Sequence, residues 1–86
     1  MNINNYGKVE DYETYGSLDS IEDSIKLLKI DTEITEEDEK RLIEEHEPYQ
    51  NKNIRITWAI KEDYDDSFTG VILVDKNDNV IYRIGY

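Results

Sequence analysis

The chain has no cysteine, which excludes disulfide bridges, thiolate metal sites, iron–sulfur ligation and cysteine nucleophiles together. Stability must come from packing. It has one histidine, and it lacks a glycine-rich phosphate loop, a nucleophile elbow and a helix-borne histidine pair. No apolar run approaches the roughly 18 residues a membrane span needs, and Met1–Tyr6 lacks the basic-then-apolar pattern of a leader. These absences predict a soluble, cytoplasmic protein with no cofactor.

Positive charge is also scarce. Against 21 Asp and Glu stand 10 Lys and Arg, a formal charge of -11, which disfavours nucleic acid or an anionic membrane as direct partners. Basic proteins and cations become the natural partners. Aromatic residues at 10% and several branched-aliphatic runs are enough for a folded core despite that charge. With 86 residues, one compact domain over 1–86 is expected.

Met1–Gly16 carries Tyr6, Tyr12 and Tyr15 among acids, and reads as either a short edge strand or an arm packed by its tyrosines. Leu18, Ile21, Ile25 and Leu28 recur at helical spacing, with Asp19, Glu22 and Asp23 in the opening turns and Ser17 or Ser20 as cap. Leu27 and Ile30 are expected to widen the apolar face, and the helix to end near Ile30. A second helix follows Thr35, whose pairing with Asp38 is a capping box, and runs to Glu45 or His46 before Pro48. Its apolar content is thin: Leu42 and Ile43, helped by Ile34 and Tyr49 outside it.

From Asn53 the period becomes two, with Ile54, Ile56, Trp58 and Ile60 facing the helices and Arg55, Thr57 and Lys61 facing solvent or a partner. Val71–Val74 reads as a central strand covered on both faces, and Asp75–Asn79 as the turn into Val80–Ile84. The expected fold is α+β: two short helices on a three-stranded antiparallel meander, with room for an N-terminal edge strand.

The acidity is polarised, with 15 acids against 5 bases up to Pro48, and 6 against 5 beyond it. Its densest block is Glu36, Glu37, Asp38, Glu39, Glu44, Glu45 and Glu47. Seven-residue spacings place Asp38 with Glu45, and Glu37 with Glu44, about 10 Å apart on shared faces, a loose match to phosphate separations. Lys40 and Arg41, four residues from Glu36, Glu44, Glu37 and Glu45, are expected to neutralise part of the array. A second cluster, Glu62, Asp63, Asp65 and Asp66, brackets Tyr64 and leads to Phe68. It reads either as an interface patch or as a loop whose two rings fold back over the core.

Three chemical readings are weaker. Asp75, Asn77 and Asn79 match the first polar positions of an EF-hand loop, but Val80 replaces the glycine and no bidentate acid follows. His46 among Glu44, Glu45 and Glu47 falls short of the convergent ligands a metal or base needs. Arg55, Lys61 and Arg83 on one sheet face suggest a short basic path for single-stranded nucleic acid, in a protein whose total field is negative. No enzyme is expected. The preferred expectation is an acidic inhibitor that occupies the basic nucleic-acid site of a larger protein, such as a defence nuclease, a CRISPR effector, a restriction enzyme or a transcription factor. A phage or mobile-element origin would suit that role. Its contact residues would be Glu36, Glu37, Asp38, Glu44, Glu45 and Glu47, with Asp63, Tyr64, Asp65 and Asp66. The alternatives are a non-mimic adaptor, an antitoxin-like protein, or a structural subunit that self-associates through a sheet edge.

Overall fold

In the computed structural model, which describes residues 6–18, 20–49 and 54–86, the alternating run after Ile54 lies inside a four-stranded antiparallel sheet. Strand β2 (Arg55–Glu62) pairs with β3 (Ser67–Val74), and β3 with β4 (Val80–Gly85). A short β1 (Glu13–Ser17) adds to the other side of β2, giving the order β1-β2-β3-β4. Two helices, α1 (Ile21–Asp31) and α2 (Glu36–His46), pack on one face. The architecture is therefore an edge strand plus a three-stranded meander beneath two helices. Readings that involve Met1–Asn5, Asp19, Asn53 or the Tyr49 side chain fall outside the described residues.

Register follows from the period-two pattern. Ile56 faces Leu73 and Trp58 faces Val71 across β2 and β3, and these join Leu28, Leu42 and Ile84 in the helix-side core. Trp58 thus sits where the alternation places it, with Ile54 and Ile56. Full burial of Leu28 and Leu42 contributes about 1.5–3 kcal/mol for each side chain. Gly70 lies opposite Gly85, and a Cβ there would come within 2.2 Å of the Ile84 carbonyl oxygen, so the close β3–β4 crossing admits no side chain.

Three expectations need correction. Ser20, not Ser17, caps α1: its Oγ accepts the Asp23 N–H at 3.1 Å. Ser17 is held in the sheet opposite Thr57, and Leu18 N–H donates to the Ile56 carbonyl, so the chain is still extended there. Ile30 does not widen the apolar face; it is 79% exposed, because it stands about 200° around the helix from the buried Leu28 and points away from the core. Finally, the face of Arg55, Thr57 and Lys61 is only partly open: the N-terminal segment packs over it and Thr57 is buried, while Arg55 stays exposed.

That segment is both arm and strand. Val9 N–H donates to the Asp78 carbonyl and Val80 N–H to the Gly7 carbonyl, tying the arm to the start of β4. Passing through a short 3-10 turn at Val9–Asp11, the chain crosses to β1 at the opposite edge. Tyr6, Val9 and Tyr12 thereby pack with Ala59, Phe68, Ile72, Val74 and Val80 in a second core. The sheet is covered on both faces, which explains why Val71–Val74 is wholly buried.

Candidate functional site

The residue pattern that starts α2 also fixes what its first acids can do. Thr35 Oγ1 accepts the Asp38 N–H, and Thr35 N–H donates to Asp38 Oδ2, each at 3.1 Å. The Asp38 carboxylate is therefore occupied as half of a capping box, where it accepts from the Thr35 N–H while the Thr35 hydroxyl accepts from the Asp38 N–H. Glu39 Oε1 lies 3.0 Å from Lys29 Nζ of α1 and clips the two helices together. Glu36, Glu37, Glu44, Glu45 and Glu47 remain exposed, with no ion pair among the described residues.

Lys40 and Arg41 do not neutralise this array as expected, because neither forms an ion pair among the described residues. Both bases lie C-terminal to Glu36 and Glu37 and N-terminal to Glu44 and Glu45. The second orientation is the weaker for helical pairs, and exposed pairs gain little over hydration. With Leu42 buried, a rotation of about 100° per residue turns Glu37 and Glu44 away from the core and places Asp38 and Glu45 on its flank. That flank borders β4: burial, then the Glu45 carboxylate, push the Tyr82 hydroxyl up, while Arg41 opposes them.

The second acidic cluster folds differently. Asp63 and Asp66 exchange backbone hydrogen bonds at 3.3 Å, leaving Tyr64 and Asp65 at the tip of a tight hairpin. Asp66 turns under the hairpin, where its two oxygens accept from Arg83 at 2.8 and 2.9 Å and one lies 3.3 Å from Lys61 Nζ. The Arg83 guanidinium holds its carboxyl well below the usual range, to about 2, with help from Lys61. Arg83 also donates to the Tyr12 hydroxyl at 3.1 Å and lies over the Phe68 ring at 4.7 Å. Asp63 pairs with Lys61 at 3.6 Å.

Of the four loop residues expected to bind, then, Asp63 and Asp66 are committed to the protein's own cations. Tyr64 and Asp65 are exposed. The idea of Tyr64 and Phe68 folding back together holds only for Phe68, which is buried in the second core, whereas Tyr64 is fully exposed. The helix and the hairpin do not merge into one patch, since α2 packs on one sheet face and Asp66 reaches toward the other.

The basic path is likewise occupied. Arg55 pairs with Asp78, Lys61 with Asp63 and Asp66, and Arg83 with Asp66. In the β3–β4 turn, Asp75 Oδ1 accepts the N–H groups of Asn77 and Asn79 at 2.9 Å, so its oxygens close the turn. Burial alone would push that carboxyl up, but the Asn79 and Asn77 donors outweigh it and hold it low. His46 lines an open hollow of about 590 Å³ with Leu18, Ile21, Ile43 and Arg55, and burial lowers its pKa. No group of three metal-ligating side chains is present among the described residues.

Residue pattern alone missed Arg83 and Lys61 as the neutralising groups. Their shared face was visible in the strand alternation, but their partner, Asp66, depends on how the hairpin turns. Compared with protein-family models, curated proteins and solved structures, the chain matches none.

Proposed function

We propose that this protein is a non-catalytic acidic inhibitor whose α2 surface occupies the basic nucleic-acid site of a larger protein. The supporting observation is the placement of Glu44, Glu45 and Glu47. They stand at the C-terminal end of α2, where the helix dipole already concentrates negative charge and each further carboxylate costs about 0.3–1 kcal/mol. No ion pair among the described residues offsets that cost, and burial favours neutral His46 beside them. Carboxylates kept where they weaken the fold are accounted for by an external cation.

The mechanism requires no bond chemistry. Glu37 and Glu44 on the outer face, with Glu36 and Glu47, meet lysines and arginines arranged for phosphates, and the partner loses access to nucleic acid. Binding of this kind weakens as salt rises. The hairpin tip, Tyr64 with Asp65, would add a ring for short-range contact at a separate point.

The test is affinity capture on the immobilised protein from the cells that carry it, at moderate salt, followed by elution with duplex DNA. A triple variant, Glu37→Gln with Glu44→Gln and Glu45→Gln, leaves the Asp38 cap intact. The expected result is one or few DNA-binding proteins that duplex DNA displaces and the triple variant fails to hold. Equal capture by the variant, or captured proteins that DNA leaves in place, would refute the proposal.

A further inference from the structure

The sheet has a second feature, distant from α2. β1 is an edge strand whose five residues are all exposed, and among the described residues nothing pairs with its outer side. Natural edges are protected by lysine, proline, a bulge or a covering element. β1 contains neither lysine nor proline. Its one protection is the irregularity between Thr14 and Ser17, where Gly16 adopts φ +98°, so Glu13–Tyr15 stay open to pairing.

Beside this edge, between β1, β2 and α1, runs an open groove of about 370 Å³ lined by Tyr15, Leu18, Leu27, Asp31, Trp58 and Ile60. Its floor is apolar, and its one charged lining residue is an acid. Glu13 accepts a hydrogen bond from the Tyr15 hydroxyl at 3.2 Å, and Glu62 acts electrostatically on the same hydroxyl. Among the described residues no lysine or arginine lines it. A free backbone edge, an apolar floor and an acidic rim thus lie side by side.

We infer that β1 and this groove receive an extended segment of a partner protein, added to the sheet as a fifth strand, whose groove-facing side chains, at every second position, include both apolar and basic residues. Main-chain hydrogen bonds to β1 supply affinity, and alternate side chains read the face. On that face apolar side chains enter the groove against Leu27 and Trp58, and lysine or arginine meets Glu13, Asp31 and Glu62, which share the helix side of the sheet. A second copy of the chain is disfavoured, because it would bring another molecule of charge -11 and another Glu13 to the same rim. The inference stands apart from the α2 reading and survives its failure.

Trp58 is the chain's single tryptophan, so groove occupancy can be read by its fluorescence. The probe is a synthetic peptide in which arginine and isoleucine take turns at every second position, with threonine between them. Its controls are a peptide of the same composition with central prolines, which cannot pair, and a glutamate-for-arginine version. The expected result is saturable binding of the first alone, with a Trp58 emission shift and amide perturbations at Glu13–Ser17. The double variant Glu13→Lys with Asp31→Lys should weaken it at least tenfold, and Glu37→Gln with Glu44→Gln less than twofold. Circular dichroism checks that each variant is folded. Equal binding of the proline control, absence of binding, or shifts confined to α2 overturns the inference. So does a dimer of the free protein whose β1 amides are protected.

Discussion

Helix α2 carries six carboxylates, of which only Glu39 pairs with a cation among the described residues, Lys29 of α1, whereas two of the four at the hairpin end between β2 and β3, Asp63 and Asp66, are paired. Lys61 stands on β2 and Arg83 on β4, both facing the second core, so the hairpin closes onto them and Asp66 becomes part of the structure. On α2 the helix's own bases are Lys40 and Arg41, one turn from the acids and exposed, and neither of them forms an ion pair among the described residues. A run of acids therefore becomes structure or surface according to whether a distant cation arrives on the correct sheet face. The hairpin residues should respond to substitution as core residues do, and the helix residues as surface residues do.

The largest effect is expected at Arg83. Replacement by alanine removes a two-pronged carboxylate pair, the Tyr12 contact and the cover over Phe68, leaving Asp66 with Lys61 alone. A loss of about 2–3 kcal/mol in urea unfolding is expected, and Arg83→Lys should lose less because an ammonium keeps the charge without the fork. A loss below about 0.5 kcal/mol would place the hairpin with the helix.

Asp66 gives a pH signature. Its folded-state pKa, about 2, lies below the ordinary value of 3.8, so its contribution is fully present above the ordinary value and disappears as pH falls toward 2. Asp66→Asn should therefore destabilise the protein at neutral pH by about 1 kcal/mol and flatten the fall in stability between about pH 4 and pH 2. Chemical denaturation at several pH values measures both. An unchanged acid slope in the variant would mean that Asp66 is not the group that carries it.

What could be read beforehand divides along the same line. The start of α2 was legible because Thr35 and Asp38 lie three residues apart and a capping box is a local device. The β2–β4 meander was legible because burial of one face forces a period of two. The arm over the second face was only half legible: its tyrosines were evident, but their partners Arg83 and Phe68 are far along the chain. Likewise, helical spacing alone made Ile30 a core residue, although position relative to the sheet decides that. In the candidate site, the division of the acids into paired and unpaired depended on sheet register, which residue spacing does not carry.

On α2 the direction of the stability change should reverse. The Gln triple variant at Glu37, Glu44 and Glu45 removes one favourable charge at the start of the helix and two unfavourable charges at its end. Its stability should equal the parent's within about 0.5 kcal/mol or exceed it, while capture of the partner is lost. A variant destabilised by more than about 1 kcal/mol would show that these carboxylates serve the fold, which would remove the basis for the inhibitor reading.

The smallest effect on the fold is expected at Tyr64. It sits at the turn tip next to Asp65, fully exposed, whereas Phe68 two residues beyond Asp66 lies edge-on to Tyr12 with ring centres 6.1 Å apart. Tyr64→Ser leaves no cavity and removes no hydrogen bond, so unfolding should shift by no more than about 0.5 kcal/mol. Its effect on partner capture carries the information. If the hairpin tip contributes a ring to the interface, truncation lowers the affinity by a similar factor at low and high salt, because apolar contact is not screened, whereas the effect of removing α2 carboxylates shrinks as salt rises. Unchanged capture at every salt concentration would assign the whole interaction to charge and leave Tyr64 as a ring in solvent.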